Sequence, residues 1–244
     1  MRAARFFIDA PLASNIRIEL PPRVAHHAAR VLRLRAGESI VVFNGLGGEF
    51  AARFTVDDRR AFAAIGAFDP IEREAPLAIT LVQSFITTEM LDWVVEKAVE
   101  LGVHSIMLAP AQRSVVRLAN DRLARRLERL RESIIAACAQ CGRNRIPQIA
   151  ASTTLAAALQ TGLDDEAHGV LLQPNAELPL VKAPLMGHRV ALAVGPEGGF
   201  DDDERALAQR LGYREYHLGP RVLRTETAGL AALAALQAAA GDFA

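Results

Sequence analysis

With 244 residues, half of them hydrophobic and about a quarter charged, the chain suits one large globular domain or two smaller ones, not a fibrous or disordered protein. Polar residues interrupt MRAARFFIDAPLASN too early for a signal peptide, and AGLAALAALQAAAG is shorter than the roughly 20 residues of a membrane span, so a cytoplasmic protein without membrane contact is expected. The net charge is zero, but residues 1–35 carry seven Arg and two acids and residues 110–146 nine Arg and three acids; such basic regions are either footprints for phosphates or solvated helix faces.

In chain order, RFFID reads as a short strand. PPRVAHHAARVLRLRAG follows as a helix with Val24, Ala28, Val31 and Leu32 on one face, Pro at its start and Gly37 beyond its end. SIVVFNGLGGEFAARFTV is a hairpin turning at Gly45–Gly48, and RAFAAIGAF a third strand. A small β-barrel carrying one helix fits these elements, with DPIEREAPL (69–77) as a linker. The pattern then changes. LAITLVQSF, HSIMLAP, HGVLLQ, RVALAV and EYHLG are strands; TEMLDWVVEKAVELG, residues 120–141, DDDERALAQRLG and TETAGLAALAALQAAA are helices. Strands alternating with helices give an α/β domain with a largely parallel sheet. The boundaries drawn are 1–72 and 73–244.

Cys138 and Cys141 have C-x-x-C spacing, but no second ligand pair accompanies them, and they fall one turn apart on a helix. A structural role is expected for both and no metal.

VALAVGPEGGF (190–200) runs from a buried strand into Gly-Pro-Glu-Gly-Gly and then an acidic helix start. A P-loop needs a lysine and a hydroxyl where Phe200 and Asp201–Asp203 stand, and the dinucleotide pattern G-x-G-x-x-G is absent. Carboxylates at a helix N-terminus occupy the place of an anion, so the loop suits a phosphate-free ligand held by close backbone contact. A second junction, YHLGPRVLRTETAGL, has the same form, with Gly219 and Pro220 setting a turn and Thr225 or Thr227 expected to cap the helix. Leu223 between Arg221 and Arg224 suits a flat apolar group such as adenine.

VGPEGGF followed by LGPRVLRTETA resembles the ribosomal RNA small-subunit methyltransferase E family, and HHAARVLRLRAGE, EKAVELGV, QRSVV and QCGRNRIP extend the resemblance over nearly the whole chain. Ala139 and Glu89 depart from the residues usual there. The resemblance implies a PUA-like RNA-binding β-barrel domain followed by a SPOUT methyltransferase domain with a C-terminal trefoil knot, α/β in class, acting as a homodimer. It implies S-adenosylmethionine (SAM) as cofactor and methylation of N3 of a uridine in 16S ribosomal RNA of the small ribosomal subunit. The alternatives are another RNA atom or transfer RNA on the same fold, or an RNA-binding assembly factor without catalysis.

By resemblance, the cofactor pocket comprises Leu172, Gly195, Pro196, Glu197, Gly198, Gly199, Leu218, Gly219, Leu223 and Thr225. Deprotonation of uracil N3 spreads negative charge over O2 and O4, which a fixed cation stabilises. Arg224 is the candidate for that cation and Glu197 for handling the proton, against a plain ion pair of Arg224 with Glu226 and a loop-stabilising role for Glu197. Arg23, His27, Arg30 and Arg33 in the first domain, and Arg113, Arg143 and Arg145 in the second, are expected on RNA.

Overall fold

The computed structural model describes residues 3–58, 60–115, 120–163, 166–185 and 187–243. Arg117, one of the nine arginines of residues 110–146, lies outside them. By its internal packing the chain forms two units. The first comprises residues up to Glu74 together with Cys138–Ile146, and the second comprises Ala75–Ala137 and the chain from Pro147 onward.

The first unit is a five-stranded sheet of β1 (Ala4–Phe7), β2 (Arg17–Glu19), β3 (Ser39–Phe43), β4 (Glu49–Asp57) and β5 (Arg60–Asp69), in the order β1-β3-β4-β5-β2. The β3–β4 hairpin turns where the glycines stand. Gly48 has φ +63°, and a Cβ there would lie 2.3 Å from the Phe68 ring, so no larger residue fits without moving it. Alternation then does the packing: Ala61, Ala63 and Ile65 of β5 are buried with Phe6, Ile40, Val42 and Phe54. The strand β2 was not foreseen. It is three residues long, RIE, and carries too few alternations to read.

The expected helix after residue 21 is corrected. Only Pro22–His26 is α-helical (α1), and His27–Val31 forms a π-helical turn, with the Leu32 N–H donating to the His27 carbonyl five residues back at 2.9 Å. The wider turn breaks the 3.6-residue face. Ala28 is buried, but Val31 and Leu32 are 61% and 43% exposed beside Arg30 and Arg33.

The linker expectation at 69–77 also changes. Arg5 sits among Glu49, the Asn144 side chain (2.6 Å) and the Arg143 carbonyl (3.1 Å). Arg73 donates to Glu49 and to the Gly142 carbonyl (2.8 Å), Arg143 pairs with Glu74, and Asn144 Nδ2 donates to the Ile71 carbonyl (2.9 Å). Residues 71–74 are therefore bonded along their length to 142–145, not a free tether. Burial alone would raise the Glu49 carboxyl, but Arg5, Arg73 and Asn144 together hold it below its ordinary value. The sign follows: a depressed folded-state pKa gives stability that is complete above the unfolded value near 4.5 and is lost as pH falls through the lower folded value. Acid titration followed by circular dichroism should show the first unit losing stability below that point, and Glu49→Gln should flatten the loss.

The second unit is a seven-stranded sheet of β6 (Ala78–Ser84), β7 (Ser105–Ala109), β8 (Gln148–Ala151), β9 (His168–Leu172), β10 (Leu178–Pro179), β11 (Arg189–Val194) and β12 (Tyr213–His217). The order is β10-β12-β9-β11-β6-β7-β8, and every pairing is parallel, as the sequence pattern predicts. The helices are α2 (Thr88–Glu100), α3 (Asn120–Cys141), α4 (Leu155–Gly162), α5 (Asp202–Arg210) and α6 (Thr225–Ala240). The central strand β11 is buried from Val190 to Val194, and α2 buries Leu91, Val94, Val95, Ala98 and Val99 in the i, i+3, i+4 pattern of one face. β8, α4 and β10 were missed. β8 is half-exposed, and in α4 small residues blur the periodicity, although Thr154 caps it by accepting from the Ala157 N–H at 3.2 Å.

Candidate functional site

The strands β11 and β12 both deliver their ends to the same place. Beyond Val194 the chain turns through Gly195–Phe200 into α5, and beyond His217 it turns through residues 218–224 into α6. Between these two loops and the end of β9 lies a cleft of about 340 Å³. Its size and its mixture of Leu172, Leu218, Val222 and Leu223 with backbone polar groups suit a small organic ligand.

The loop before α5 holds no phosphate cradle. Asp201 and Glu204 form a capping box: the Glu204 N–H donates to Asp201 Oδ1 and the Asp201 N–H donates to Glu204 Oε2, both at 2.9 Å. Glu204 Oε1 also accepts from the Gln112 N–H at 2.8 Å. The helix end is thus occupied by its own carboxylates.

Eight of the ten residues expected at the cofactor line this cleft: Leu172, Gly195, Pro196, Glu197, Gly199, Leu218, Leu223 and Thr225. Gly198 and Gly219 are not among its lining residues. The Gly198 carbonyl accepts from Arg113 at 2.9 Å, and a Cβ on Gly198 would lie 3.1 Å from the Arg113 Cβ. The Gly219 N–H donates to His217 Nδ1 at 2.9 Å with φ +96°, which shapes the turn. Sequence reasoning missed Gln173, Pro174, Tyr216 and His217, which also line the cleft. Their only signal was adjacency to the ends of β9 and β12.

Neither Thr225 nor Thr227 caps α6, whose N-cap residue is Arg224 without a side-chain cap. The buried Thr225 hydroxyl instead donates to the Gly195 carbonyl at 2.6 Å, stitching one loop to the other. Arg224 is exposed at the mouth of the cleft and has no ion-pair partner among the described residues, Glu226 included. Glu197 is exposed, and its Oε1 accepts from the Thr87 N–H at 3.4 Å.

The arginines expected on RNA divide. Arg23, Arg30 and Arg33 are exposed, as is His27, whose ring meets Phe6 edge-on. Arg113 is exposed but engaged by Gly198. Arg143 is 5% exposed and pairs with Glu74 through its Nε (3.2 Å) and Nη2, so burial and a fixed partner remove it from any surface. Arg145 is exposed and donates to Glu72 at 3.0 Å.

Burial above all pushes the Cys138 thiol up to about 12, so it does not ionise near neutrality. Among the described residues no group of His, Cys, Asp and Glu could hold a metal ion, and no helix is long and apolar enough to cross a membrane.

Comparison with known proteins carries the reading further. Residues 73–237 match the model of an RNA methyltransferase domain, and residues 20–65 that of an RNA methyltransferase PUA domain. The chain is 30% identical over 246 residues to the ribosomal RNA small subunit methyltransferase E of Mycobacterium bovis, covering 97% of this chain and 92% of that one. A crystal structure of the protein of that name from Neisseria gonorrhoeae, bound to S-adenosyl methionine, is 36% identical and superposes over 100% of both chains with a TM-score of 0.91. A candidate methyltransferase of Legionella pneumophila, in complex with bound SAM, is 35% identical and superposes over 100% of both chains with a TM-score of 0.94. With both domain models matched and such similarity along nearly its whole length, the chain belongs to the ribosomal RNA small subunit methyltransferase E family.

Proposed function

We propose that this protein uses SAM to methylate N3 of a uridine in 16S ribosomal RNA of the small ribosomal subunit. The observation that carries the reading is the cleft between the Gly195–Phe200 and 218–224 loops, in a chain that superposes along its full length on SAM-bound relatives. The lining fits the cofactor: Leu172, Leu218 and Leu223 offer an apolar bed for adenine, and Gly195 and Gly199 put no side chain between the ligand and the loop backbone. Bound there, SAM supplies a methyl group already activated by a sulfonium, so the transfer needs no metal.

The chain's own residues have three tasks. The two loops fix the donor's direction, which aligns nitrogen, carbon and sulfur for in-line displacement. Arg224 faces the uracil oxygens, where charge gathers as the N3 proton leaves and the N3 lone pair takes the methyl. Glu197 is near enough to the mouth to receive that proton, although its bond to the Thr87 N–H equally supports a loop-holding role. Arg23, His27, Arg30, Arg33 and Arg145 meet phosphates and position the RNA without reading sequence.

In this reading the C-terminal part of the second unit is the knotted portion of a SPOUT domain. The hydrogen bond from Thr225 to Gly195 and the parallel neighbours β9, β11 and β12 are consistent with a knot there. The enzyme acts in the cytoplasm as a homodimer, with the small-residue helix α6 permitting close approach.

The test is methylation of small subunits from a strain lacking this activity, followed by nucleoside mass spectrometry. N3-methyluridine is expected, with RNA binding that falls steeply as salt rises. A methylated ribose or a modified transfer RNA would move the reaction to another target, and SAM binding with no transfer to any RNA would make the protein an assembly factor.

A further inference from the structure

We propose that Gln83 is a positioning residue for the SAM cleft, acting through the Thr225 hydroxyl on the carbonyl of Gly195; the proposal rests on the methyltransferase reading above. Gln83 is the penultimate residue of β6, in the middle of the sheet, and its register partner is Val194, the last residue of β11 before the loop. It is 0% exposed, follows the apolar Leu81 and Val82 on the strand, and does not line the cleft itself. Its Nε2 donates to Thr225 Oγ1 at 3.3 Å and to the Ser84 carbonyl at 3.2 Å. Thr225 in turn donates to the Gly195 carbonyl at 2.6 Å.

The orientation of the amide follows from this chain of bonds. A threonine hydroxyl has one proton, and Thr225 gives it to Gly195. The Gln83 atom beside Oγ1 must therefore be the donor nitrogen, which leaves Oε1 on the other side. Gln83 Oε1 is buried and has no hydrogen-bond partner among the described residues. A buried carbonyl without a partner is a cost to folding, and an apolar residue of the same volume would avoid it. Apart from the neighbouring Ser84 carbonyl, the group that gives a reason for an amide here is the Thr225 hydroxyl. Without the donor from Gln83, only the bond to Gly195 is left to hold that hydroxyl in its staggered position. Both Thr225 and Gly195 line the cleft, so the slack passes directly to the ligand site.

The full-length protein is to be titrated with SAM by calorimetry, alongside thermal unfolding without ligand. Gln83→Leu should unfold at or above the wild-type temperature yet bind SAM roughly five- to tenfold more weakly, the equivalent of one net hydrogen bond. Gln83→Glu should bind at least as poorly despite its near-identical shape, because a carboxylate accepts and would draw the Thr225 proton away from Gly195. Gln83→Leu combined with Thr225→Val should be no weaker than Thr225→Val alone. SAM affinity within twofold of wild type in folded Gln83→Leu or Gln83→Glu overturns the proposal, as does simple additivity in the double variant. A wild type that binds no SAM overturns the methyltransferase reading and this proposal with it, whereas wild-type binding beside unchanged variants overturns this proposal alone.

Discussion

The Arg224→Ala protein is expected to bind SAM about as well as wild type and to methylate roughly a hundred- to a thousandfold more slowly, the usual loss when one donor to a developing negative charge is removed. Three observations lead there. Arg224 stands between Leu223, which lines the cleft, and Thr225, which is fixed to Gly195. Its backbone is extended (φ −64°, ψ 151°), so the side chain leaves the helix start instead of lying along it. Its guanidinium is exposed and has no ion-pair partner among the described residues, so the truncation removes no structural bond recorded there. Arg224→Lys should recover only part of the rate, since an ammonium cannot copy a planar fork against two oxygens. Single-turnover methylation beside calorimetric binding decides the matter. Normal turnover in a folded Arg224→Ala enzyme would remove the residue from the mechanism, and a parallel fall in SAM affinity would make it a binding group.

The Arg5→Met protein is expected to lose about 3–5 kcal/mol of stability in the first unit, the range for breaking one side of a buried ion pair. The Arg5 and Glu49 side chains are only 4% and 13% exposed, so solvent does little to compensate either charge. Arg5 also holds the Arg143 carbonyl and the Asn144 side chain, and its guanidinium lies 4.9 Å from the centre of the Phe43 ring. Methionine keeps the volume but leaves Glu49 with Arg73 as its remaining cation, beside the Asn144 side chain. Urea unfolding followed by circular dichroism measures the loss. Arg5→Met with Glu49→Met should be more stable than Arg5→Met by itself, because no carboxylate is then left under-compensated. A single variant as stable as wild type would show that the cluster contributes nothing to holding 142–145 on the sheet.

The parallel sheet and both loops of the cleft were legible because their signals are local. A buried run such as RVALAV followed by Gly-Pro tells its own structure without reference to the rest of the chain. Gly198 and Gly219 show the limit of that reading: their glycines are needed for packing on Arg113 and for a turn with positive φ, and sequence cannot distinguish those uses from contact with a ligand. The exposed Val31 and Leu32 were misread because one π turn adds a residue to the helical count, and no residue type announces it. Arg143 was misread for a different reason. Its role depends on Glu74, 69 residues away, and basic spacing along the sequence carries no record of that carboxylate. Gln83 escaped for the same reason, since it matters through Thr225, which is remote in the chain.

The composition of the first unit sets an order of events during synthesis. Its last piece, Cys138–Ile146, is made only after β6, α2, β7 and most of α3 of the second unit. Until then Arg5, Glu49 and Glu74 leave the ribosome without Arg143 and Asn144, the groups they bond in the finished fold. The second unit is delayed further, because β6 finds its neighbour β11 only when Arg189–Val194 have been translated. Neither unit can therefore be completed from the N-terminus alone. Closing such distant pairs is slow, and the apolar strand ITLV stays uncovered while the chain waits. Nascent chains halted before residue 146 should accordingly depend on chaperone binding, and those released after residue 240 should not.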